Sequence, residues 1–281
     1  MKPPIAQQFL ALNRAFYEQV ADPFAQSRAR PQPGFALLLE HLPQPCPHLL
    51  ELGCGEGRFG RFLLERGVIE QYTGIDFSAA LLAKAAANTP GTFLERDISQ
   101  PGCLAGLGQF PAIACLAVLQ HIPGRENRVK LLREMRKHVG ERGRVLISTW
   151  QFLDSARQQR KVVAWSRVGL SQDEVEMHDY LLTWQRGGTA LRYVCQIDQP
   201  ELTALAQAAG LLVEHHFTSD GQEGNLSLYA ILTGQKPHTN EDAPRAAQAR
   251  RTRRTPRPGP RGGPRRGGGS PLKAVTTNLG S

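Results

Sequence analysis

The segment Glu51-Leu-Gly-Cys-Gly-Glu-Gly-Arg58 constrains this chain more than any other. A short apolar run, His48–Leu52, leads into it and a helical stretch, Arg58–Arg66, leads out. Glycines at 53, 55 and 57 let the backbone turn sharply and come close to a ligand without side-chain clash. Gly55, Gly57 and Gly60 also fit the G-x-G-x-x-G dinucleotide pattern, a weak signal by itself. Two features point away from a dinucleotide. A carboxylate at Glu51, at the strand's end, would repel a pyrophosphate and suits a ligand with a cationic amino group. The loop also opens about 50 residues in, behind two helices, whereas dinucleotide sites often start a domain.

The chain on both sides follows suit. Helical spacing of Ile5, Phe9, Leu12, Phe16 and Val20 predicts a helix over 5–20, and a second covers 34–41. Strands are then expected at 48–52, 72–76, 92–94, 112–119 and 144–150, with helices at 79–88 and 126–139 between them. Such alternation predicts an α/β fold with a mostly parallel sheet and helices on both faces. Cys115, inside the apolar run 112–119, reads as core. Residues 151–188 are polar and read as an irregular insertion. A strand at 191–197, a helix at 200–209 and two strands at 211–217 and 226–232 follow, the last pair closing the sheet as an antiparallel hairpin. His215 and His216 fall in that pair, one ring to the core and one to solvent. The expected organisation is a helical cap over 1–44, a catalytic domain over 45–235 with an insertion at 151–190, and a disordered tail over 236–281.

Charge is divided unevenly. Of 34 Lys and Arg, nine Arg and one Lys follow residue 242 with no acid among them, leaving 24 bases against 25 acids before it. The body is near neutral and the tail is strongly cationic, which excludes a uniformly basic nucleic-acid-binding surface. The tail is rich in Arg, Gly and Pro and cannot bury enough apolar surface to order itself. No apolar run approaches the roughly 20 residues that span a bilayer. The five scattered cysteines lack a C-x-x-C, so neither a disulfide framework nor a zinc knuckle is expected. A cytoplasmic protein without membrane contact or metal site is the expectation.

Three more motifs stand at suitable spacings. Asp76 ends the second strand and can accept hydrogen bonds from both ribose hydroxyls. Asp97 follows the third strand, with Ile98 next to it. Cys115-Leu-Ala-Val-Leu-Gln-His121 ends the fourth. With the glycine loop, these resemble the first four motifs of class I S-adenosylmethionine-dependent methyltransferases, over about residues 45–233. The resemblance implies a Rossmann-like methyltransferase sheet and S-adenosylmethionine as cofactor. It places Glu51, Gly53, Gly55, Gly57, Asp76, Phe77, Asp97, Ile98 and Leu116 at that cofactor. Asp97 would hold the adenine amino group, Ile98 and Phe77 would pack its ring, and Leu116 would lie beside the methyl group.

The methyl acceptor is less constrained. No N/D-P-P-Y motif or Pro-Cys nucleophile stands in the fourth motif, which speaks against adenine-N and cytosine-C5 methylation. Residues 13–28, 179–184, 191–202 and 221–230 resemble the tRNA methyltransferases that esterify 5-carboxymethyluridine at the wobble position. Where that subfamily carries Arg-Tyr-Tyr-His or Arg-Phe-Tyr-His, this chain reads Arg192-Tyr193-Val194-Cys195. A carboxylate is ionised at neutral pH and attacks a sulfonium methyl without a base, so catalysis needs orientation and a cation. Arg28 and His121 are the candidate catalytic residues, Arg28 gripping the acceptor and His121 orienting it, with Arg192 and Tyr193 at the substrate. The tail offers a salt-sensitive contact to tRNA. Some relatives act with a small zinc-containing activator subunit. An O-methyltransferase of a small-molecule metabolite and a non-catalytic RNA-binding scaffold remain as alternatives.

Overall fold

The computed structural model describes residues 1–26, 31–184 and 190–234, the side chains of 20–26 excepted. The Arg28 reading and the whole of the tail from 235 fall outside the described residues. In the middle of the parallel part of a seven-stranded sheet lies β1 (His48–Leu52), with β2 (Gln71–Asp76) and β3 (Thr92–Glu95) to one side. To the other side lie β4 (Phe110–Leu116) and β5 (Val139–Trp150), and all five run parallel. Leu49, Leu50 and Leu52 are fully buried, and so are Ala112–Cys115, because helices cover both faces of the sheet there. The helices are α3 (Arg58–Leu64), α4 (Ala79–Asn88) and α5 (Arg125–His138). Ser78 caps α4 by accepting a hydrogen bond from the Leu81 amide.

The end of the chain's ordered path departs from the parallel pattern. β9 (Leu211–Ser219) forms the sheet edge, and β10 (Ser227–Gly234) inserts antiparallel between it and β5. Strand order therefore runs β3-β2-β1-β4-β5-β10-β9 and reverses direction of travel between β1 and β4, the place where α/β sheets open a crevice at their carboxyl ends. The sequence places one histidine of β9 inward. In the structure both His215 and His216 are exposed, and His215 stacks on His41 with ring centroids 4.5 Å apart.

Two regions differ from expectation. Helix α1 (Pro3–Gln26) starts earlier and runs further than 5–20, and α2 (Pro33–Leu38) is short. Residues 151–188 are not irregular throughout. They hold α6 (Ala156–Gln159), β6 (Val162–Val163) and β7 (Asp179–Trp184), and β7 pairs antiparallel with β8 (Ala190–Cys195) in a separate three-stranded sheet. The strand expected at 191–197 thus belongs to this second sheet. α1 packs on β8 through Phe9, whose ring stacks on Tyr193 at 4.6 Å. Beyond β8, α7 (Gln199–Ala208) opens with Asp198 accepting from the Glu201 amide. No helix among the described residues is long and apolar enough to cross a membrane.

Candidate active site at the carboxyl edge of the central sheet

The turn after β1 shapes one wall of a cavity between the sheet's carboxyl edge and α1. Gly53 has φ +67°, and a Cβ there would sit 2.4 Å from Val118 Cγ2, so both the backbone and the neighbour require glycine. Gly55, at φ +56°, would meet nothing within 4 Å, because it faces open cavity. Its amide donates to Asp76 Oδ2 at 2.8 Å, while the Ser78 amide donates to Oδ1 at 3.0 Å. Asp76 is thereby fixed with lone pairs to spare for a ligand hydroxyl. Burial raises its pKa, and the backbone donors of Ser78, Gly55 and Phe77 pull it back.

Glu51 ends β1 and also lines the cavity. Its Oε2 accepts a 2.6 Å hydrogen bond from the Tyr72 hydroxyl. Burial pushes the carboxyl up to about 7, against the Tyr72 bond and the nearby Arg58 guanidinium. At the opposite end, Asp97 Oδ1 accepts from the amide and hydroxyl of Ser99 at 2.9 and 2.6 Å. Phe77, Ile98 and Leu116 complete the apolar lining around it.

The sequence leads one to expect a helical cap over 1–44 but does not single out the side chains of α1 that line the cavity. Leu10, Asn13, Arg14 and Tyr17 lie at i, i+3, i+4 and i+7 on α1 and all line the cavity. Arg14 Nη2 donates to Asp97 Oδ2 at 3.1 Å and its guanidinium lies 5.4 Å from the Phe77 ring centre. Asn13 is buried and joins three elements. Its Oδ1 accepts from the Tyr193 amide at 2.8 Å, and its Nδ2 donates to the His121 carbonyl at 3.3 Å. The signal was a polar row beside the apolar stripe of the same helix.

His121 stands at the end of the cavity beyond Leu116. Nδ1 lies 3.2 Å from the Tyr193 carbonyl, which only accepts, so Nδ1 carries the proton. Nε2 of the neutral ring then accepts from the Tyr17 hydroxyl at 3.1 Å.

Eight of the residues expected at the cofactor, Glu51, Gly53, Gly55, Asp76, Phe77, Asp97, Ile98 and Leu116, line this one cavity together with His121. Gly57 does not. It starts α3 in a left-handed conformation at φ +73° and packs behind the turn near Thr89 and Ala85. Arg192 and Tyr193 do not line it either. Tyr193 is fully buried, stacked on Phe9, with its hydroxyl donating to Asp179 at 2.6 Å. Its reading as a substrate contact is therefore corrected to core, because β8 is covered by α1. The residues present fit the implied cofactor: a buried acid with spare acceptors after β2, a carboxyl at the end of β1, and a glycine cradle that any Cβ would begin to fill. No group of three or more His, Cys, Asp or Glu able to hold a metal occurs among the described residues.

A family model described as a methyltransferase domain matches residues 15–216. A methyltransferase of Encephalitozoon cuniculi is 26% identical over 217 residues, covering 77% of this chain and 92% of that one. A trans-aconitate 2-methyltransferase of Acidovorax ebreus is 40% identical over 78 residues, 27% of this chain and 29% of its own. Among solved structures, an S-adenosylmethionine-bound amino pentose methyltransferase from Micromonospora echinaspora superposes with a TM-score of 0.54 at 15% identity, covering 76% and 96% of the two chains.

Proposed function

The chain belongs to the methyltransferase domain family and is a methyltransferase with S-adenosylmethionine as its cofactor; from that premise we propose that its methyl acceptor is a small molecule. The observation that carries this reading is the roof. α1 lies across the cavity, Asn13 ties it to β8 and to the His121 turn, and Tyr17 closes on His121 at 3.1 Å. An acceptor atom must reach a confined space, which suits a small ligand. The similarity to a trans-aconitate enzyme supports the same class.

Bound S-adenosylmethionine supplies an electrophilic methyl group on a sulfonium centre. The chain's own residues orient it. In this reading Asp76 accepts from the ribose hydroxyls, Glu51 faces the amino group, and Asp97 with Phe77 and Ile98 holds the adenine. Leu116 and His121 stand at the reacting end, where placing the two partners in line supplies most of the rate.

A second reading, a methyl ester on a carboxymethylated wobble uridine of tRNA, draws on the tail, whose ten basic and no acidic residues follow residue 242. One experiment separates the two. Labelled S-adenosylmethionine is offered with a small-molecule extract and with total tRNA, both from cells lacking this protein. Label in the small-molecule pool is expected. Label in tRNA alone would replace the first reading with the second.

A further inference from the structure

Two arginines, Arg128 on α5 and Arg192 on β8, are buried in different surroundings. Arg128, 2% exposed, pairs with Glu176 at 3.0 Å and donates to the Ile122 carbonyl at 3.0 Å. Arg192, 4% exposed, has no ion pair among the described residues; the Nε of each arginine is buried without a hydrogen-bond partner among them, so the difference is the missing carboxylate. Aromatic faces enclose Arg192 instead: the guanidinium carbon lies 4.5 Å from the centre of the Trp150 ring, 5.1 Å from Phe16 and 6.0 Å from Trp184. Burial pulls its pKa down, and the Tyr17 hydroxyl beside it opposes the shift. Rings soften the cost of burying a cation but do not cancel its charge.

Tyr17 is the link to the site. It lines the cavity on one side and stands beside Arg192 on the other. A guanidinium only donates, so it faces the phenol oxygen and leaves the O–H to point elsewhere, towards His121 Nε2 in the structure at hand. Acids that line the cavity, Glu51, Glu56, Asp76 and Asp97, are all on the glycine loop or at the ends of β1 to β3. None comes from α1 or from the Leu116–His121 turn, the elements at the Tyr17 end. At that end the Arg192 guanidinium stands behind Tyr17, with no cavity-lining acid among the described residues of α1 or of the turn to offset it.

We propose that Arg192 is the counter-charge for an anionic acceptor, a carboxylate, and acts as a positioning residue through the Tyr17 hydroxyl. This rests on the small-molecule reading above. One carboxylate oxygen forms the bond to the methyl carbon as the methyl–sulfur bond breaks, with that electron pair staying on sulfur. No proton is transferred. The methylated carboxylate becomes a neutral ester group, which weakens the product's attraction to Arg192 and favours its release.

The test uses the full chain and a small-molecule extract split on an anion exchanger into bound and unbound fractions. Labelled S-adenosylmethionine is the methyl source, and the variants are Arg192→Met, Arg192→Lys and Tyr17→Phe. Expected is base-labile label from the bound fraction only. In Arg192→Met the rate at limiting dilution of that fraction falls about tenfold or more, less at saturating amounts, and Arg192→Lys recovers part of the loss. Tyr17→Phe, which keeps the ring, shows the same loss should Arg192→Met fail to fold. Cofactor affinity, read by calorimetry, reports folding of each variant. Label from the unbound fraction, or full activity of Tyr17→Phe on the bound one, overturns the proposal and leaves the methyltransferase reading intact. Label in neither fraction, with cofactor bound, overturns the small-molecule reading beneath it as well.

Discussion

Glu51 shows how one side chain can be pulled two ways. Burial among the strands raises its carboxyl to about 7, while Tyr72 and Arg58 favour the charged form. For a carboxyl raised in the folded chain, the folded state holds the proton more tightly than the unfolded one. Its contribution to stability therefore falls as pH climbs from the ordinary value of 4.5 through about 7. Cofactor binding has the opposite sign if the ammonium of the cofactor seeks the ionised carboxylate. Affinity for S-adenosylhomocysteine should rise across the interval around Glu51's own value, and calorimetry at stepped pH reads it. Glu51→Gln should weaken binding by about 10- to 100-fold, the usual worth of a charge-assisted hydrogen bond, and flatten the slope. A slope that persists in Glu51→Gln would assign the titration to another group.

At the level of elements, α1 decides whether there is an acceptor site at all. It buries Ile5, Phe9 and Phe16, and its adjacent face roofs the cavity. Asn13 fixes the rotation that separates those two faces. Asn13→Ala should cost about 1–3 kcal/mol in chemical denaturation, because the Tyr193 amide is left buried and unpaired. It should also lower kcat/KM for the acceptor more than it weakens cofactor affinity; equal losses in both would mean that the helix only seals the cofactor. The parallel strands and their glycine turn were legible because each announces itself locally, through an apolar run, a break and a helical period. The β7–β8 sheet was not. Asp179 opens β7 and is itself buried, hydrogen-bonded to Tyr193, so the segment reads as polar loop until its partner strand is known. The subfamily resemblance puts Arg192 and Tyr193 together at the substrate, and such a resemblance carries no information on burial. Adjacent residues on a strand point to opposite faces, and only the covering by α1 shows that both faces of β8 are inside. The cofactor residues were readable because four turns at the sheet's edge each carry a short motif, whereas the acceptor end is assembled from α1, β8 and the His121 turn, which no local pattern joins.

For the molecule as a whole, the charge arithmetic separates a near-neutral body from a cationic end. The described residues lie within one compact unit, Met1–Lys236. Removing residues 237–281 should leave the thermal midpoint and cofactor affinity unchanged. It should weaken retention of tRNA or another polyanion and flatten the salt dependence, since each phosphate contact adds to the slope of log affinity against log salt. A salt slope that survives the deletion, measured by filter binding, would remove the tail from polyanion capture. The position of β10 bears on how such a chain comes off the ribosome. The last strand among the described residues is internal, clamped between β5 and β9. Until it arrives, β5 presents an open edge of backbone donors and acceptors, next to the buried Leu146 and Ile147 that β10 will cover. The amino-terminal strands can pair as they emerge, but the sheet is sealed only after every other described strand has been made. A premature stop anywhere before Ser227 would therefore release not a smaller enzyme but a sticky half-sheet, a client for chaperones and proteases.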